Sequence, residues 1–125
     1  MLKPEADGMM RNDLRVRTKA FASAVIRQYR MLPKTRSEVQ ILGKQLLRSG
    51  TSVAANYREA SRARSDDEFT SKADQCAQEA DESMLWLELL RDDCAIKGLD
   101  ALIRESDELM SRKVKARQKQ EEGEA

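Results

Sequence analysis

A polar stripe runs through the middle of the chain. Gln45, Ser49, Ser52, Asn56 and Glu59 recur at four-three-four-three spacing, which places them on one face of a helix. Hydroxyls beside an amide and a carboxylate could line a binding or catalytic groove. A serine needs a base to become a nucleophile, however, and the chain contains no His. The stripe reads better as a hydrogen-bonded network between helices that sets their register.

Three carboxylates, Glu59, Glu79 and Glu82, suggest a metal-binding bundle. Such centres take a Glu from two helices and a Glu-x-x-His pair from two others, and without His that pattern is missing. Charged helix faces are commonly just solvated. Cys76 and Cys94 stand 18 residues apart with no CxxC pair, which argues against structural zinc. Both fall on an apolar helical pattern, where a thiol acts as a small hydrophobe. Neither a Gly-rich phosphate loop nor a GxSxG elbow occurs. No catalytic residue, metal or cofactor is therefore expected.

The basic residues are the most suggestive set. Arg11, Arg15, Arg17, Lys19, Arg27, Arg30, Lys34 and Arg36 lie in the first third of the chain. Arg48, Arg58, Arg62 and Arg64 follow. Arginine dominates, and its planar fork suits bidentate phosphate contact. The net charge of +1 conceals an asymmetry: residues 1–64 carry 14 Lys/Arg against 5 Asp/Glu, and residues 65–125 carry 9 against 17. One half is basic and the other acidic. No helix-turn-helix, RNA-recognition or zinc-finger motif accompanies the charge.

The elements that must hold these residues are helices. In 125 residues, aromatics are 4%, charged residues 36%, and there are only 5 Gly and 2 Pro. That profile excludes a turn-rich sandwich or barrel and favours long helices. Residues 1–11 lack periodicity and read as a flexible arm. A first helix is predicted from Asn12 or Asp13, with Leu14, Phe21, Ala24, Val25, Tyr29 and Leu32 as its stripe, ending before Pro33. Thr35 and Glu38 form a capping box for a second helix. Val39, Leu42, Leu46, Val53, Tyr57 and Ala60 make its apolar stripe. A line of small residues, Gly43, Gly50 and Ala54 with Leu47, would admit a close neighbour. Ser65 and Glu68 cap a third helix carrying Phe69, Ala73, Cys76, Ala80, Met84, Leu87 and Cys94. Its later turns are also apolar at Leu85, Trp86, Leu89 and Leu90, so a second cover is needed. Leu85, Trp86 and Leu89 are the candidate subunit interface. Gly98 reads as a helix stop. A fourth helix follows from Leu99 or Asp100, with Leu102, Ile103, Ser106, Leu109, Met110 and Val114.

The order Leu42-x-x-Gln45-Leu46-x-Arg48-Ser49-x-x-Ser52-Val53-x-x-Asn56-x-x-Glu59 resembles the signature of the four helix bundle protein family, also called 23S rRNA-intervening-sequence proteins. Phe69, Lys72 and Glu79-Ala-x-Glu82-x-x-x-Trp86-Leu87-Glu88-Leu89-Leu90 continue it, over roughly residues 14–112. Ala60 stands where the signature often has Gly, a change expected to touch local packing. The resemblance implies an up-and-down four-helix bundle that assembles into a homopentameric ring. Some members are encoded within insertions in bacterial 23S rRNA genes. A related branch, the accessory protein of diversity-generating retroelements, binds a reverse transcriptase and nucleic acid through basic surfaces.

The expectation is thus an all-α protein: an antiparallel up-and-down four-helix bundle assembling into a homo-oligomeric ring. The bundle domain spans 12–115 and a charged disordered tail 116–125. Unlike charges on the two halves suit head-to-tail contacts, which close into rings. The expected function is non-enzymatic binding of RNA or DNA, with a possible protein partner, through Arg11, Arg15, Arg17, Lys19, Arg27, Arg30, Arg58, Arg62 and Arg64. The alternative is a purely structural or protein-binding ring whose charges serve assembly. No signal peptide or bilayer-length apolar segment is seen, so a soluble, cytoplasmic protein is expected.

Overall fold

The structure is a computed structural model that describes the backbone of residues 4–110 and the side chains of residues 13–110. The helices are α1 (Pro4–Met31), α2 (Ser37–Ser61), α3 (Asp66–Asp92) and α4 over residues 100–110, and no strand occurs among the described residues. They form a four-helix bundle. Helix α1 starts at Pro4, ahead of the start read at Asn12. Proline at the first helical position gives up a donor that would have no partner there. The segment read as an arm is therefore helical from Pro4 onward. Residues 1–3, the predicted tail 116–125 and Val114 lie outside the described residues.

The core follows a seven-residue rhythm. Along α2 the buried positions are Val39, Gly43, Leu46, Gly50, Val53, Tyr57 and Ala60, with Ser49 beside Gly50. Along α3 they are Ala73, Cys76, Ala80, Ser83, Leu87 and Leu90. Leu14, Thr18, Phe21, Val25 and Leu32 continue the rhythm on α1. Steps of three and four keep one seam facing the neighbour when helices lean about 20° apart. The two stripes read separately on α2 thus merge. Leu42 packs at the edge of the core, and Ser83 replaces Met84 inside it. The spacing of Ala80 and Leu87 puts position 83 on the seam, where Ser83 faces Ser49 of α2, their Oγ atoms 2.8 Å apart. Ala60 is 1% exposed, so the signature's small residue fills a core position here.

The glycines of α2 let α1 approach. A Cβ on Gly50 would stand 2.9 Å from both Cγ atoms of Val25, and one on Gly43 would stand 2.6 Å from Cδ1 of Leu32. Their cost in helix propensity, about 1 kcal/mol each against Ala, is offset by this contact.

Helix ends agree with the sequence in part. Ser65 caps α3, its Oγ accepting from the Glu68 N–H at 3.1 Å. The Glu68 carboxylate reaches back to the Arg64 N–H rather than to that of Ser65. The box predicted at Thr35 does not form. The N-cap of α2 is Arg36, which makes no side-chain cap. Glu38 is therefore too near the start to reach back to Thr35. Its own backbone N–H and the Arg36 guanidinium hold its carboxyl below the ordinary value. Helix α3 ends at Asp92, before Gly98. Gly98 has a positive φ of 82°, and so does Ala95 at 59°, where the Ile96 N–H returns to the Leu90 carbonyl at 3.0 Å. A non-glycine residue is strained there by about 1 kcal/mol. Ala95→Gly is accordingly expected to stabilise the fold, raising the midpoint of thermal unfolding by a few degrees in a circular-dichroism melt.

Two polar ties fasten the rest. Arg36 Nη1 donates to the Cys94 carbonyl at 2.8 Å, joining the α1–α2 turn to the α3–α4 segment. Arg17 joins α1 to Glu105 of α4, with Glu108 at 4.0 Å.

Candidate nucleic-acid interface

The polar stripe of α2 divides between core and surface. Ser49 is buried, donating to the Leu46 carbonyl or meeting Ser83, whose own Oγ donates to the Glu79 carbonyl at 2.8 Å. Ser52 and Asn56 are half-buried, and Gln45 and Glu59 are exposed. No nucleophile–base pair arises, because every partner of Ser49 is a hydroxyl or a backbone carbonyl. Ser49→Ala is expected to destabilise by about 1 kcal/mol by stranding the acceptor capacity of Ser83. Ser49→Ala with Ser83→Ala should cost less than the two singles added, in a double-mutant cycle by urea unfolding.

The carboxylates are tied across the α2–α3 seam. Arg48 pairs with Glu79 at 3.4 Å and with Glu82, and the Trp86 indole N–H donates to Glu82 at 3.3 Å. Lys72 pairs with Glu59 at 2.8 Å. The three carboxylates that suggested a metal are each bound to a cation of the protein. Among the described residues no cluster of metal ligands forms.

The candidate interface residues of α3 separate. Trp86 is half-buried against the core and held by Glu82, and Leu89 is also half-buried. Leu85 points outward at 49% exposure. It lies in a shallow hollow of about 430 Å³ with Gln78, Asp81, Glu82, Met84 and Glu88. An apolar side chain with an acidic rim is the result.

The basic residues gather on α1 and α2. Lys19, Arg27 and Arg30 on α1, Lys34 in the turn, and Lys44, Arg58, Arg62 and Arg64 on or just beyond α2 are all exposed, and Arg15 is half-buried. None of these nine pairs with a described carboxylate. Meanwhile Glu38 and Glu59, the nearest acids on α2, are taken by Arg36 and Lys72. Two members of the predicted set sit differently. Arg17 is turned onto α4, and the side chain of Arg11 lies outside the described ones. Lys44 was missed by reading the basic residues as runs; its exposed position on α2 opposite the core was the available signal. The face therefore carries a concentrated positive charge that the fold leaves uncompensated. It can attract and hold a polyanion.

Comparison with curated proteins finds no match. No helix among the described residues is long and apolar enough to cross a membrane. The chain is similar to a solved protein of unknown function from the S23 ribosomal protein family of Bacteroides thetaiotaomicron. The two share 30% identity and a TM-score of 0.76 over 85% of this chain and 96% of that one. The family model described as 23S rRNA-intervening sequence protein matches residues 12–114. That match takes in α2, α3, the described part of α4 and all but the first turns of α1, and the chain accordingly belongs to the 23S rRNA-intervening sequence protein family.

Proposed function

We propose that this protein is a non-enzymatic, self-associating helical bundle that binds RNA or DNA through the basic face of α1 and α2. One observation carries the reading: nine cations on α1, α2 and their turns have no side-chain carboxylate partner among the described residues, against two, Lys97 and Arg104, in the rest of the bundle, while Arg17, Arg36, Arg48, Lys72 and Arg91 are all paired. Solvated cations of this density bind phosphates by releasing condensed counterions. The family's link to 23S rRNA genes and the buried, base-free serines agree with a binding role. The antiparallel, up-and-down course is supported by the α2–α3 pairs, in which Arg48 meets Glu82 and Glu59 meets Lys72. A homopentameric ring, as the resemblance implies, would repeat the basic face and multiply weak contacts.

A second reading is favoured by the Leu85 hollow. Its acidic rim of Asp81, Glu82 and Glu88 complements the basic face of another copy, in which case the charges serve assembly or a protein partner. Light-scattering mass on a size-exclusion column, with and without a mixed RNA/DNA pool at low salt, separates the two. A mass near five subunits with co-eluting nucleic acid supports the first reading. The same mass without co-elution supports the second, and a monomer contradicts self-association.

A further inference from the structure

We infer that the ligand of the basic face is the phosphate backbone of a nucleic-acid duplex rather than a single strand. This rests on the nucleic-acid reading above and narrows it. The cations fall into two poles. Val25 seats on Gly50, while Tyr29 and Leu32 seat on Gly43, so numbers on α1 and α2 run in opposite order. Continuing that register sets Arg15 and Lys19 level with Arg58 and Arg62. It sets Arg30 level with Lys44, with Arg27 about one turn nearer the middle and Lys34 in the turn beyond.

The poles are far apart. At 1.5 Å per residue, Arg15 to Arg30 spans about 22 Å along α1, and Lys44 to Arg58 about 21 Å along α2. Arg27 stands with Arg30, so the uncharged gap on α1 runs from Lys19 to Arg27, about 12 Å. Ile26 is 42% exposed there, and the Thr51 hydroxyl is turned back onto the Leu47 carbonyl at 2.8 Å. Two positive poles across a neutral saddle match two phosphate rails across a groove. The B-form major groove is about 12 Å wide between its rails, and the reach of Arg and Lys side chains covers the remainder.

A single strand asks for something else. It needs a continuous cationic track and aromatic rings on which bases stack. The chain has only five aromatic residues, 2 Phe, 2 Tyr and 1 Trp, and none offers such a platform on this face. Phe21 and Tyr57 are buried, Phe69 and Trp86 belong to α3, and the one half-buried ring, Tyr29, packs its edge on Gly43 and gives a single ring rather than a row of them. Contact is therefore confined to phosphates and carries little base sequence information.

Fluorescence anisotropy tests this with labelled DNA duplex, RNA duplex and each component strand, all of one length, at fixed low salt. Both duplexes, or one of them, are expected to bind at least tenfold more tightly than the strands. Arg15→Gln with Arg58→Gln removes one pole, and Arg30→Gln with Lys44→Gln the other. Each pair should weaken duplex binding about tenfold and lower the salt slope by about 2. Strands binding as tightly as duplexes would overturn the inference and leave the nucleic-acid reading intact. Binding to neither would overturn both.

Discussion

A protein carrying Gly50→Val is expected to lose about 3 kcal/mol of stability, the upper part of the range for overpacked cores. A Cβ at position 50 would lie 2.9 Å from Cγ1 and Cγ2 and 3.1 Å from Cβ of Val25. Val25 is fully buried, and a β-branched side chain in a helix has one strongly preferred rotamer. It cannot swing aside, so α1 must move away from α2. Gly43→Ala provides the contrast. The nearest atom is Cδ1 of Leu32 at 2.6 Å, the far end of a flexible chain, with the edge of the half-buried Tyr29 ring at 3.3 Å. The gain in helix propensity, about 1 kcal/mol, offsets the adjustment, and stability should change by less than about that amount. Urea unfolding of the two variants checks both statements. Equal losses would show that the approach of α1 is not set at Gly50.

The second large effect concerns the basic face. Arg15→Glu, Lys19→Glu, Arg58→Glu and Arg62→Glu together are expected to lower affinity for mixed-sequence nucleic acid on the order of 10³-fold at low salt, since each lost phosphate contact removes released counterions. Unlike Arg17 or Arg48, none of the four supports a described ion pair. Helical content should be retained. Asp81→Lys with Glu88→Lys, on the rim of the Leu85 hollow, is the matched control. It reverses charges on the other face, in the opposite sense, and it should leave nucleic-acid affinity undiminished while weakening association between copies if α3 forms that contact. Loss of association rather than of nucleic-acid binding in the first variant would favour the assembly reading of the charges.

Much of the bundle was legible because its determinants are local. Pro33 stops α1, Ser65 caps α3, and apolar residues at helical spacing mark each inner face. The close approach at Gly43 and Gly50 was legible too, since small residues repeated on one face serve little else. What was not legible depended on partners distant in sequence. The spacing of Ala80 and Leu87 puts position 83 rather than Met84 on the seam, and a serine is accommodated there because Ser49 stands opposite. Arg17 belongs to the basic run by sequence, yet Glu105, 88 residues away, claims it. The turn at Ala95 gives no signal at all, because alanine is an unfavourable left-handed residue and Gly98 nearby is a better one. The candidate site shared this division. Its charge could be counted in the sequence, but which cations remain unpaired depended on where the carboxylates of α3 and α4 arrive.

The most direct test of the basic face is the salt dependence of affinity for a mixed-sequence duplex, measured by anisotropy on the full chain. Each phosphate contact should contribute about −0.9 to the slope of log affinity against log salt. Engagement of the four to eight cations of the two poles predicts a slope between about −4 and −7. Absence of binding at low salt, or an affinity that does not fall as salt rises, would contradict the account.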